Sequence, residues 1–100
     1  MVLPFEIYPE KAYAGDKIII KYNNGILLDN LQKDIYLIFG YGKEDIEKVY
    51  KAKMVKKDNA YIMVIPVIGL NTVFIAFEDS FNNKDDNNNS FYKIYTQKKE

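Results

Sequence analysis

The stretch DKIIIKYNNG, Asp16 to Gly25, decides the fold. Ile18, Ile20 and Tyr22 fall on one face, Lys17, Ile19 and Lys21 on the other, and Asn23-Asn24-Gly25 stops the run with a strong turn signal. A repeat of two is the mark of a strand with one buried face; a helix would place its apolar residues at i, i+3, i+4 and i+7.

The same pattern recurs on both sides of this stretch. FEIY, Phe5 to Tyr8, ends at Pro9, and DIYLIFG sets Ile35, Leu37 and Phe39 against Tyr36 and Ile38. VYKAKMVKK is a Lys-studded strand closed by Asp58-Asn59. AYIMVIPV gives Tyr61, Met63, Ile65 and Val67 one face, with Pro66 marking an edge or a bulge. NTVFIAFED and SFYKIYT complete seven strands. Nine Tyr, six Phe and many Ile suit pleated surfaces, and turn signals between short strands predict an antiparallel sandwich or barrel. One segment has a rival reading: in GKEDIEKVYKAKMVKK, Gly42 to Lys57, Ile46, Val49 and Tyr50 fall at i, i+3 and i+4 and allow a turn or two of helix. The tail TQKKE, 96–100, is expected to fray.

One hundred residues make a single domain, 1–100, with one core. A hydrophobic fraction of 48% with 28% charged is that of a folded globular protein. The net charge is zero, and all fourteen basic residues are Lys. Without Arg there are no bidentate forks for phosphate, so nucleic acid is not an expected partner. The absence of Cys and His removes thiolate nucleophiles, disulfides, imidazole bases and most zinc sites. No basic leader with an apolar run and no membrane-length apolar stretch occurs, so the expectation is a soluble chain with no signal peptide and no membrane partner. A module cut from a longer secreted protein would look the same, which leaves the compartment open.

No catalytic constellation emerges. Ser80 and Ser90 have no base to activate them and suit turn hydroxyls, while Glu44-Asp45 and Asp85-Asp86 suit solvated loops, so no enzyme activity and no catalytic residue are expected. The segment DSFNNKDDNNNSFY, Asp79 to Tyr92, holds five Asn and three Asp. Asp79, Asp85, Asp86, Asn87 and Asn89 offer oxygens to calcium, but an EF-hand register started at Asp85 puts Ser90 at the position of the glycine and Thr96 at that of the bidentate Glu. The simpler reading is a long connection whose Asn and Asp residues tolerate left-handed backbone. No cofactor or metal is expected.

The order of these features resembles the starch- and glycogen-binding modules of carbohydrate-binding module family 25 and its relative family 53. Ala14-Gly15-Asp16 opens the long strand that Tyr22-Asn23 closes. Gly40-Tyr41-Gly42, Met54 and Phe77-Glu78-Asp79 follow, and Asn83-Lys84-Asp85-Asp86-Asn87-Asn88 stands where that family has a loop of the form N-W-D-N-N-N-G. The match runs from about Ile7 to Ile94, and it implies an immunoglobulin-like antiparallel β-sandwich of about seven strands. It also implies a non-catalytic domain that binds α-glucan, a polysaccharide or oligosaccharide, through a shallow surface site, alone or attached to a glucan-active enzyme.

In that family the sugar stacks on aromatic platforms while polar neighbours bond its hydroxyls. The matching positions here are Ile38 for a His, Ile46 (or Asp45, with a one-residue insertion) for one Trp and Lys84 for the other, so all three platforms are replaced. Two readings follow. In the first, Tyr41, Tyr50 or Phe81 replaces the stacking surface near Ile46 and Lys84, and Asp85, Asn87 and Asn88 bond hydroxyls. In the second, the scaffold has lost sugar and makes protein contacts or oligomers through Ile38 and Ile46.

Overall fold

The computed structural model describes residues 3–29, 33–69 and 71–98. They form an all-β molecule. Its strands are β1 (Phe5–Tyr8), β2 (Ala12–Tyr13), β3 (Lys17–Tyr22), β4 (Ile35–Gly42), β5 (Lys48–Lys53), β6 (Val55–Lys57), β7 (Ala60–Pro66), β8 (Thr72–Asp79), β9 (Lys84–Asp85), β10 (Tyr92–Ile94) and β11 (Thr96–Gln97), with one 3-10 turn at Ile26–Asp29. One antiparallel sheet has the order β1-β3-β7-β6 and the other β10-β8-β4-β5. The short β9 also pairs with β8, along the edge that β4 leaves free. The expected β-sandwich is therefore present.

The inner faces are those the alternation assigns. Ile18, Ile20 and Tyr22 of β3 and Tyr61 and Ile65 of β7 pack against Ile35, Leu37, Val73, Ile75 and Phe77 of β4 and β8. Ring contacts close the gap between sheets, with centroids 4.1 Å apart for Tyr22 and Phe77 and 5.8 Å for Phe5 and Phe77. Each such side chain contributes about 1.5–3 kcal/mol by leaving water.

Three local expectations differ. VYKAKMVKK is not one strand: β5 pairs with β4 in the second sheet, β6 with β7 in the first, and the chain changes sheets at buried Met54, whose N–H donates to the Ile35 carbonyl at 2.8 Å. A sandwich corner needs such a switch, and nothing in an alternating pattern marks it. Between Gly42 and Lys57 the helical spacing of Ile46, Val49 and Tyr50 gives no helix, because pairing with β4 claims Val49 and Tyr50. At the C-terminus the expected fray from 96 is corrected: Thr96–Gln97 pairs in parallel with Ala12–Tyr13, and the Thr96 hydroxyl donates to the Asn71 carbonyl at 2.9 Å. The last residues, 99 and 100, lie outside the described residues.

Strand β8 is the centre of the second sheet and is buried from Val73 to Asp79 on both faces. Val73, Ile75, Phe77 and Asp79 face the other sheet, and Phe74, Ala76 and Glu78 face outward. That outer covering over a central strand positions the candidate site.

Candidate functional site

The connection from β8 to β10 is built on two buried carboxylates. Asp79 ends β8 as the head of a turn: its carboxylate accepts the N–H groups of Phe81 and Asn83 at 2.9 and 2.8 Å, the Asn83 amide at 3.0 Å and the Lys33 ammonium at 3.0 Å. Burial alone would raise its pKa, but these charge-assisted donors prevail and hold it at about 2. Asp85 is also buried, and its two oxygens accept the Tyr22 hydroxyl at 2.7 Å and the Tyr92 hydroxyl at 2.6 Å. Burial first, and then the bond to Asp85, push both tyrosines well above the usual phenol range.

Between these anchors and β10 the run Asn87-Asn88-Asn89 has φ of 56°, 57° and 68°, a turn of left-handed backbone. The Ser90 N–H donates to the carbonyls of Asp86 and Asn87, the Phe91 N–H to that of Asp86, and the Asn89 N–H to the Asp86 carboxylate. Such backbone costs most L-residues about 1–2 kcal/mol each and Asn the least. This is the physical reason for three consecutive Asn. Phe91 itself has φ of 60°, and the Asn87 amide donates to its carbonyl at 3.0 Å. Its ring lies edge-on to Phe74 at 6.4 Å.

Phe91 thereby joins the outer face of the second sheet. Across that face the register sets Lys84, Glu78, Tyr36 and Lys53 side by side, and Ala76, Ile38 and Lys51 in the next row. The Lys51 ammonium donates to Glu78 at 2.5 Å and sits 5.0 Å over the Tyr36 ring. Gly40 follows in the third row, opposite Phe74. A Cβ on Gly40 would stand 2.5 Å from the Ile46 side chain, so Ile46 is folded down onto the outer face over a residue flat enough to admit it.

The structure divides the site residues expected from sequence. Ile38, Ile46 and Lys84, the three positions matched to platforms, share this outer face. Tyr41 does not: it lies on the inner face, and its hydroxyl crosses to the Pro66 carbonyl of the other sheet at 2.5 Å. Tyr50 is on the same inner side at the margin of the sandwich, stacked on Phe39 at 5.4 Å with the Lys48 ammonium 5.2 Å from its ring. Phe81 is 66% exposed at the start of the loop. Asp85 is an inner anchor, whereas Asn87 and Asn88 form the exposed left-handed turn. Tyr41, Tyr50 and Phe81 therefore do not line one surface.

Tyr36, Phe74, Glu78 and Phe91 were not among the expected site residues. The alternation already put Tyr36 on the side of Ile38, away from Ile35, Leu37 and Phe39, whereas the unbroken apolar run Val73 to Phe77 gives Phe74 and Glu78 no side. Nothing in the sequence announces Phe91, whose direction comes from a left-handed backbone. Among the described residues, no group of three or more Asp or Glu stands together as metal ligands, and no helix is long and apolar enough to cross a membrane. No family model, curated protein or solved structure matches the chain.

Proposed function

We propose that this chain is a non-catalytic glycan-binding module whose ligand is an α-glucan, received on the outer face of the second sheet. One observation carries the reading: Ile38, Ile46 and Lys84, matched by resemblance to three platform positions, share a face with two rings, Tyr36 and Phe91, and with the carboxylate of Glu78. Flat apolar rings stack on the C–H faces of glucose units, and Glu78, Lys51 and Lys84 supply an acceptor and donors for the hydroxyls. Tyr36 and Phe91 then do the stacking expected of Tyr41, Tyr50 or Phe81. The ligand is a soluble starch or glycogen chain, bound across the face that carries the two rings.

The test is the mobility of the domain in a native gel containing soluble starch or glycogen. Retardation that Tyr36→Ala and Phe91→Ala reduce supports the proposal; unretarded migration of the wild-type domain overturns it. A second reading, protein contact, is favoured by the aliphatic run Ile38, Ile46 and Val49 on this face, with Val49 53% exposed. Partner binding or self-association that Val49→Asp removes, in a domain blind to glucan, would favour it.

A further inference from the structure

The turn between β3 and the 3-10 turn contains the chain's single Asn-Gly step, Asn24-Gly25. Gly25 does not supply left-handed backbone: its φ lies outside that region, unlike those of Gly15 and Gly69. Space is what demands a glycine. A Cβ there would stand 1.9 Å from the Tyr22 hydroxyl oxygen and 2.0 Å from the ring carbon that bears it. Tyr22 cannot give way, because it is buried and its hydroxyl is held by the Asp85 carboxylate and the Leu27 N–H. The core therefore fixes the one residue type without a Cβ immediately after an exposed asparagine.

The groups that react at such a step are unengaged. Among the described residues, the Asn24 side-chain amide has no hydrogen-bond partner and the Gly25 N–H donates to no acceptor. Every other described asparagine lacks this combination. The side-chain amides of Asn23, Asn71, Asn83 and Asn87 are already donating. The N–H groups that follow Asn82, Asn88 and Asn89 are held by Asp79 and by the Asp86 turn. Asn59 is followed by Ala60, which carries a Cβ, is buried and pairs with Lys57.

We infer that Asn24 is a spontaneous modification site that ages this domain. The Gly25 nitrogen attacks the Asn24 side-chain carbonyl carbon; an N–C bond forms, the bond to the amide nitrogen breaks, and ammonia leaves with the proton of the Gly25 nitrogen. Water then opens the five-membered imide at either carbonyl, leaving an aspartyl or an isoaspartyl residue at position 24. The balance is one water consumed and one ammonia released, with no oxidant or reductant. The isoaspartyl form puts one more carbon into the main chain, in a turn tied at both ends. The Asn23 and Asn24 N–H groups donate to the Pro4 carbonyl at 3.2 and 3.0 Å, and the Gly25 carbonyl accepts the Leu28 N–H at 3.2 Å. Gly25 is therefore displaced from its seat on the hydroxyl that binds Asp85, and the change reaches the loop that Asp85 anchors. None of this depends on what the outer face of the second sheet binds.

The experiment holds the intact, folded domain in mildly alkaline buffer and follows it by peptide mapping with isoaspartate-specific methylation. Asn24 is expected to convert about tenfold faster than any other asparagine, and Asn24→Gln to remove the conversion there. The isoaspartyl form, separated by its extra negative charge, is expected to show faster amide exchange at Leu27 and Leu28 and from Asp86 to Phe91. Asn24→Asp, with the same charge on an ordinary backbone, is expected to leave that exchange unchanged. Absent conversion at Asn24, conversion that begins at Asn87–Asn89, or conversion at Asn24 only in urea overturns the inference. So does exchange in the isoaspartyl form equal to that of Asn24→Asp.

Discussion

Tyr22 and Asp85 are 63 residues apart in the chain, and inside the core the Tyr22 hydroxyl donates to the Asp85 carboxylate at 2.7 Å. The same hydroxyl accepts the N–H of Leu27 at 3.2 Å, and the other oxygen of Asp85 accepts the hydroxyl of Tyr92. One carboxylate therefore ties β3, the 3-10 turn and β10 to the loop before Phe91. Removing it leaves the buried hydroxyl of Tyr22 and the half-buried hydroxyl of Tyr92 without their acceptor. Asp85→Ala is expected to cost about 2–3 kcal/mol, read from urea unfolding, and to speed amide exchange from Asp86 to Phe91. Unchanged exchange in that loop would show that Asp85 does not hold it.

Lys33 and Asp79 form a buried pair at 3.0 Å, with side-chain exposures of 4% and 0%. Asp79→Ala leaves the ammonium buried without that partner and is expected to cost about 3 kcal/mol. Because the folded pKa of Asp79, about 2, lies below its ordinary value of 3.8, the unfolded chain binds the proton first as pH falls. Asp79 therefore contributes stability above pH 4 and loses it between about pH 4 and 2. Acid unfolding midpoints should show that dependence, and Asp79→Asn should flatten it.

At alkaline pH the signs reverse. Tyr22 and Tyr92 have folded pKa values raised above the ordinary phenol value of 10.0 by burial and by the Asp85 carboxylate, so above pH 10 the unfolded chain loses protons that the folded chain retains. Stability from both tyrosines is complete below pH 10 and declines as pH rises beyond it. The part of the tyrosinate absorbance that Tyr22→Phe and Tyr92→Phe remove should rise together with unfolding rather than before it. Tyr92→Phe should shift the alkaline midpoint upward relative to its own stability at pH 7.

The left-handed turn makes its own prediction. Asn88→Gly should leave stability within about 0.5 kcal/mol of wild type or raise it, while Asn88→Val should cost about 1–2 kcal/mol, because a β-branched side chain clashes in this region. Thermal midpoints of the two variants give the difference directly. Equal midpoints would mean that the turn relaxes to right-handed backbone at little cost.

Much of the fold was legible without coordinates. The alternation in Lys17–Tyr22, Ile35–Phe39 and Tyr61–Val67 identified strands and their buried faces, because burial of one face is a local property that a period of two records. The turn at Asp58-Asn59 was equally visible: Asp58 has φ of 56°. The Asn run announced left-handed tolerance in the same way, since the preference belongs to the residue itself.

What the tertiary structure alone decided is pairing and direction. The switch of sheets at Met54, the parallel pairing of Thr96–Gln97 with Ala12–Tyr13, and the meeting of Tyr22 with Asp85 all join segments distant in sequence, and no local pattern encodes the partner. The site followed the same division. Sequence placed Tyr41, Asp85 and Lys84 within a few residues of the expected rim, but the pleat sends Tyr41 and Asp85 inward and Lys84 outward, while left-handed Phe91 turns a ring onto the outer face. A one-residue step reverses the side of a sheet on which a side chain stands, so which residues share a surface is fixed only once both sheets have packed.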